Sequence, residues 1–190
     1  VTVELDEARL AVTESPLRIT LWHGICRGGR MDYVVQKATE LGVHAIQPVF
    51  TTRSVVRLDK PRAQKRVRHW QKIAISAAEQ SGRSRLPDIR EPRPLMESLA
   101  TIQPDGQHLT LDPDGTAGFG NSLTAHQEIT LFTGPEGGFT QKECAEAQAA
   151  GFQLVSLGPR VLRTETASMV ALGIVQNIAG DLRPMPAEEA

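Results

Sequence analysis

An α/β fold built on a mainly parallel sheet is the architecture that this 190-residue sequence predicts. Three observations carry it. Short apolar runs rich in β-branched and aromatic residues alternate with segments whose apolar residues recur every three or four positions. Glycine-bearing turns follow several of those runs. With 40% hydrophobic and 23% charged residues, the chain has the balance of a globular domain, which disfavours disorder. Strand and helix in alternation imply parallel pairing with helical crossovers, and such sheets bind ligands at the carboxyl ends of their strands.

The first strand is Leu17 to Trp22 (LRITLW), ending in the turn-prone Gly24 and Gly28-Gly29. A helix follows from Met31 to Leu41, where Met31, Val34, Val35, Ala38 and Leu41 share one face and Gly42 is the stop. His44 to Phe50 reads as a strand in which Pro48 suits a sheet edge or a strand end. From Asp59 to Gln80 runs the longest helical pattern, with Pro61 near its start and Val67, Trp70, Ala74 and Ala77 on one face. A Pro- and Arg-rich connector spans Ser81 to Pro94. In the second half, strands are predicted at Leu109–Leu111, Ile129–Phe132 and Phe152–Leu157, with helices at Gln141–Ala150 and Glu165–Ala179 and a frayed tail after Arg183.

The net charge of −1 is a cancellation: residues 1–15 carry −3, residues 16–93 carry +10 and residues 94–190 carry −8. Such asymmetry points to an anionic partner for the basic part. Six Lys or Arg and no acid lie between Lys60 and Lys72, a phosphate-facing surface or a solvated helix face. Cys26 and Cys144 are lone and far apart, so there is no zinc-site signature, no metal is expected, and a reducing, cytoplasmic setting is. No apolar run approaches the length of a membrane span, and the amino terminus lacks the pattern of a signal peptide. The absence of an initiator Met suits a chain that begins partway through a longer protein.

Two loops carry the chemistry. Gly134-Pro135-Glu136-Gly137-Gly138-Phe139 directly follows a predicted strand and leads into Thr140-Gln141-Lys142-Glu143, a capping box. Strand, glycine loop and capped helix together aim free backbone N–H groups at a ligand, although a tight turn would read the same way. Neither GxxxxGK[ST] nor a GxGxxG between strand and helix is present, which disfavours nucleotide hydrolysis and dinucleotide redox chemistry. The second loop, Leu157 to Ala167 (LGPRVLRTETA), gathers two Arg, one Glu and two Thr within seven residues before an apolar helix. Dipole compensation by Glu165 and surface ion pairing by Arg160 and Arg163 are its plainest account.

GPEGGFT at 134–140 and LGPRVLRTETA at 157–167, with QKATELG at 36–42, IQPVFTTRS at 46–54 and EQSGRSRLP at 79–87, make the chain resemble the RsmE family of 16S ribosomal RNA uridine-N3 methyltransferases. The match runs in order over about residues 16–183. The resemblance implies a SPOUT-type mainly parallel sheet flanked by helices with a deep C-terminal trefoil knot. It also implies S-adenosyl-L-methionine as methyl donor, a homodimer, and small-subunit ribosomal RNA or the 30S subunit as partner. Residues 1–15 then read as the remnant of an N-terminal PUA-like β-barrel domain, 16–183 as the methyltransferase domain and 184–190 as the frayed tail.

On that reading, the donor contacts Leu111, the backbone of Gly134, Pro135, Glu136, Gly137 and Gly138, and Leu157, Gly158, Arg160, Val161, Leu162 and Thr166. N3 of uracil is protonated at neutral pH, so methylation needs a base or a positive environment that stabilises the anion. Glu165, the only carboxylate of the second loop, is the expected base or orienting group, and Arg163 the expected anion stabiliser. RNA is expected on Arg53, Arg57, Arg62, Arg66, Arg68, Arg83 and Arg85. A SPOUT methyltransferase acting on another RNA site, or a non-catalytic RNA-binding or assembly module, are the alternatives.

Overall fold

All seven strand pairings among the described residues are parallel. In the computed structural model, which describes residues 14–123 and 127–182, the elements run β1 (Arg18–Gly24), α1 (Arg30–Glu40), β2 (Ala45–Phe50), α2 (Lys60–Ser81), β3 (Asp88–Ile89), β4 (Arg93–Pro94) and α3 (Leu95–Leu99). They continue as β5 (Gln107–Leu111), β6 (Ala117–Gly118), α4 (Phe119–Ser122), β7 (Glu128–Thr133), α5 (Gln141–Ala149), β8 (Gln153–Ser156) and α6 (Thr164–Ile178). The sheet order is β3-β2-β1-β7-β5-β8-β6, with β4 also paired to β2. The mainly parallel α/β sheet flanked by helices expected from the sequence is therefore the fold observed.

Strand alternation divides the core into two layers. Ile19, Leu21, Ile129, Leu131 and Leu109 face one way and pack with Val34 and Val35 of α1, Val67 and Trp70 of α2, and Leu172 and Val175 of α6. The intervening Trp22 and Phe132 face the other way, with Leu95 and Leu99 of α3, Ala147 of α5, and Phe139 and Phe152. Burying each such side chain stabilises the fold by about 1.5–3 kcal/mol. The Phe132 and Phe139 rings lie 4.6 Å apart between centroids, so the second layer also fixes the exit of the 134–139 loop.

Local signals behave as their chemistry dictates. Asp59 caps α2 by accepting from the Arg62 N–H at 2.9 Å, and Thr140 and Glu143 form both halves of the capping box at α5. Pro48 departs from expectation, because β2 is interior, between β1 and the β3/β4 pair. β3 pairs with β2 at Ala45 and Ile46, and β4 pairs with it at Val49 and Phe50. The proline's missing N–H thus falls in the break between two partners, which the Gln47 side chain bridges by donating to the Glu91 carbonyl at 2.8 Å. The connector after α2 is not bare either: it contains β3 and β4, too short to show a period.

Residues 1–13 of the expected N-terminal remnant, and the tail from 183, lie outside the described residues. Glu14 and Ser15 pack on the domain: the Glu14 carboxylate accepts from the Arg83 guanidinium at 2.7 Å and from the Ser84 and Arg85 N–H groups, and the Ser15 hydroxyl donates to Gln176 at 2.7 Å.

Candidate active site

The carboxyl ends of β7, β5 and β8 bring the two sequence-predicted loops together. The Thr164 hydroxyl, at the start of α6, donates to the Gly134 carbonyl, and one turn later the Ser168 hydroxyl donates to Thr133 Oγ1 at 3.0 Å. Between the loops lies a cleft of about 300 Å³. Leu111, Val155, Leu157, Val161 and Leu162 give it apolar walls, while Gly134 to Glu136 and Gly138 present backbone. Gly158, at φ +108°, has nothing within 4 Å of where a Cβ would sit, so the backbone there stays open to a ligand. Arg30, Asp112, Glu136, Arg160 and Arg163 bring charge to the cleft's lining.

Arg30 organises that lining. Its guanidinium donates to Glu136 Oε1 at 2.6 Å, and its Nε lies 3.9 Å from Glu165 Oε1. The Arg27 N–H donates to the same Glu136 oxygen at 2.9 Å. Burial works to raise the pKa of Glu136, but these donors outweigh it and hold the carboxyl below its ordinary value. The hydrogen bond to Glu136 in turn raises the pKa of Arg30.

Beneath the loops, His23 is fully buried. Its Nδ1 lies 2.7 Å from the Gly24 carbonyl and therefore carries the proton, leaving Nε2 unprotonated and 3.3 Å from the Thr164 oxygen, whose one hydrogen goes to the Gly134 carbonyl. Burial depresses its pKa to about 4, so the ring is neutral at pH 7 and serves as a scaffold. The neighbouring Gly24 is required by close approach: a Cβ there would collide with the backbone of Pro135. Burial, reinforced by the Glu136 charge, pushes the Cys26 thiol up to about 12, which removes it as a nucleophile.

Most expected donor-site residues line the cleft: Leu111, Gly134, Pro135, Glu136, Gly138, Leu157, Gly158, Arg160, Val161 and Leu162, together with Arg163. Gly137 and Thr166 do not. Gly137 turns toward β2's following loop, its carbonyl accepting from Arg53 Nη1 at 2.8 Å, and Thr166 is exposed on the first turn of α6. Glu165 sits beside the cleft, its side chain 16% exposed and facing Arg30. Sequence reasoning missed Arg30, Asp112 and Phe139 as lining residues. Arg30 was accessible to it, since it opens the first helix directly after the first strand's carboxyl end, where ligands gather in such sheets.

Of the expected RNA contacts, Arg53, Arg57, Arg62, Arg66, Arg68 and Arg85 are exposed. Arg83 is a correction. Its side chain is only 6% exposed and donates to the Thr39 and Val43 carbonyls at 3.0 Å each as well as to Glu14, so it ties α1, the turn between α1 and β2, and the residues before β1 together. No cluster of three or more His, Cys, Asp or Glu suited to a metal occurs among the described residues, and none of their helices is long and apolar enough to cross a membrane.

Comparison with known proteins decides the lineage. A family model described as an RNA methyltransferase domain matches residues 13–176. The crystal structure of a ribosomal RNA small subunit methyltransferase E from Neisseria gonorrhoeae, bound to S-adenosyl methionine, superposes with a TM-score of 0.84 at 42% identity, covering 90% of this chain and 70% of that one. The chain belongs to the RsmE family of RNA methyltransferases. A putative methyltransferase from Legionella pneumophila, in complex with the same cofactor, gives a TM-score of 0.85 at 40% identity over 89% of this chain and 69% of that one. The ribosomal RNA small subunit methyltransferase E of Bacillus subtilis is 32% identical over 170 residues, 85% of this chain and 66% of its own length. Relative to such curated RsmE relatives, the chain spans about two thirds of their length.

Proposed function

We propose that the chain is the catalytic domain of an S-adenosylmethionine-dependent methyltransferase that modifies N3 of a uridine in small-subunit ribosomal RNA. The observation that carries this reading is the cleft between the Gly134–Phe139 and Leu157–Arg163 loops, in a chain similar along most of its length to a relative solved with that donor. The residues fit the group. Leu111, Leu157, Val161 and Leu162 offer an apolar slot for an adenine ring, the open backbone at Gly158 offers hydrogen bonds to its edge, and Glu136 and Asp112 are carboxylates suited to ribose hydroxyls or an ammonium. When bound, the donor supplies an electrophilic methyl group on a sulfonium.

The remaining work falls to this chain's side chains. Arg163, on the cleft lining and exposed, is placed to stabilise negative charge on uracil oxygens as the N3 proton leaves. Glu165, one residue on from Thr164, accepts that proton or orients the base edge, and Arg30 holds it relative to the Glu136 loop. The exposed arginines of α2 meet phosphate. The deep knot belongs to this proposal too, supported by the bonds that lock α6 against the β7 loop. So does the homodimer, supported by exposed apolar residues on and near α6: Val161 at 82%, Val170 at 38% and Ile178 at 46%.

Calorimetric titration with S-adenosylmethionine tests the reading. Wild type binds, and Leu162→Asp, which sets a charge in the apolar slot, abolishes binding while the fold persists by circular dichroism. Absence of binding to wild type overturns the proposal and favours a scaffold that assembles with RNA without methylating it.

A further inference from the structure

A second and larger cleft, of about 570 Å³, opens at the carboxyl end of β2. Its apolar surface comes from Phe50 and Leu58 with the exposed Pro94 and Met96, the last 57% exposed. Two cations stand on its rim. Arg57 is exposed and joins no ion pair among the described residues, and Lys142 has a side chain 85% exposed. Two carboxylates also border it, and both are engaged. Glu146 lies 3.8 Å from Lys142, while Glu143 accepts from the Thr52 N–H at 2.6 Å, the Thr140 N–H at 2.8 Å and the Thr140 hydroxyl at 2.9 Å.

The segment from Gly134 to Glu143 joins the two clefts: Gly134 to Glu136, Gly138 and Phe139 line the first, and Lys142 and Glu143 the second. The bonds from Thr52 to Glu143 and from Arg53 to the Gly137 carbonyl fix the wall of the second cleft to the glycine loop of the first. We propose that this second cleft receives an unpaired nucleotide of the RNA substrate, flanking the base that enters the first cleft. A duplex hides the faces of its bases, whereas an unpaired nucleotide presents a ring face and a phosphate together, which is the pairing of exposed apolar surface and the exposed Arg57 guanidinium found here. The inference rests on the reading of the chain as an RNA methyltransferase, and it names a subsite of that RNA.

The test titrates wild type, Arg57→Ala and Met96→Glu with a fluorescein-labelled single-stranded oligoribonucleotide and with a duplex of the same length, and follows donor binding and subunit size in parallel. Both variants weaken single-strand binding about tenfold, leave the duplex within about twofold, and keep donor affinity and subunit size unchanged. Equal single-strand binding by all three proteins overturns the proposal. Equal losses on single strand and duplex also overturn it, since they signal phosphate contact alone. A change from dimer to monomer in either variant overturns it by making the cleft a contact between subunits. Should wild type bind oligonucleotide but transfer no methyl group, the reading as an enzyme fails while the subsite stands.

Discussion

Arg30 reaches across from the first turn of α1 to the Glu136 carboxylate, 2.6 Å away, and joins the helix after β1 to the glycine loop after β7. The same guanidinium lies 3.9 Å from Glu165. One cation therefore registers the proposed donor loop against the proposed base. Arg30→Ala leaves two carboxylates facing each other without it, and the single-turnover methylation rate is expected to fall about ten- to hundredfold through misalignment. Arg30→Lys, which keeps the charge but loses the fork, recovers part of the rate. Equal rates in wild type and Arg30→Ala would remove Arg30 from the account.

Thr164 is the clasp between the two loops, and its side chain cannot be replaced by an isostere without loss. Thr164→Val leaves the Gly134 carbonyl without its donor and sets a methyl against His23 Nε2 in place of the hydroxyl. The expected cost is about 2 kcal/mol, seen as a fall of about 4–8 °C in Tm, with weaker donor binding. Thr164→Ser keeps the hydroxyl and stays close to wild type in thermal melts.

His23 makes stability depend on pH in a defined window. Its folded pKa of about 4 lies below the ordinary 6.5, so the unfolded chain takes up a proton that the folded chain refuses. The stabilisation is complete above pH 6.5 and is lost as pH falls toward 4, in total about 3 kcal/mol. His44, also depressed by burial and by Arg18 and Arg90, adds in the same direction. Glu136 and Glu143, held below 4.5, contribute stability that is lost only further into acid. Urea unfolding between pH 7.5 and 4.5 checks this: wild type loses stability across the window, and His23→Gln loses much less. Parallel slopes in the two proteins contradict the assignment.

Arg83 and the arginines of α2 separate into two tasks. Arg83→Ala breaks a largely buried pair and lowers stability by about 3 kcal/mol, while the salt dependence of RNA binding keeps its slope. Arg62, Arg66 and Arg68 replaced together by Ala leave Tm near wild type and flatten that slope, by about 0.9 log units per log unit of salt for each duplex phosphate that these arginines neutralise in wild type. Affinity measured across a salt series distinguishes the two.

The division between what the sequence discloses and what it conceals is physical. Hydrophobic periodicity exposes β1, β2, β5, β7, β8, α1, α2, α5 and α6, since each is long enough to bury a face against one of the two core layers. β3, β4 and β6 have two residues each, too few to show alternation, and exist only because a neighbouring strand offers them a partner. Pro48 misleads because the ladder's break lies in tertiary structure. At the site, the two loops announce themselves through glycine and the Arg-Glu-Thr cluster, whereas the bonds from Arg30 to Glu136 and from Arg83 to Glu14 span 106 and 69 residues, and no local pattern encodes them.

The most direct test of the central claim is transfer of labelled methyl from S-adenosylmethionine to undermethylated small ribosomal subunits, with the modified nucleoside identified after digestion. Wild type is expected to produce 3-methyluridine, and Glu165→Gln and Arg163→Ala to slow single-turnover transfer about a hundredfold or more with donor affinity kept within a few-fold. Label in another nucleoside, or undiminished transfer by both variants, would contradict the account.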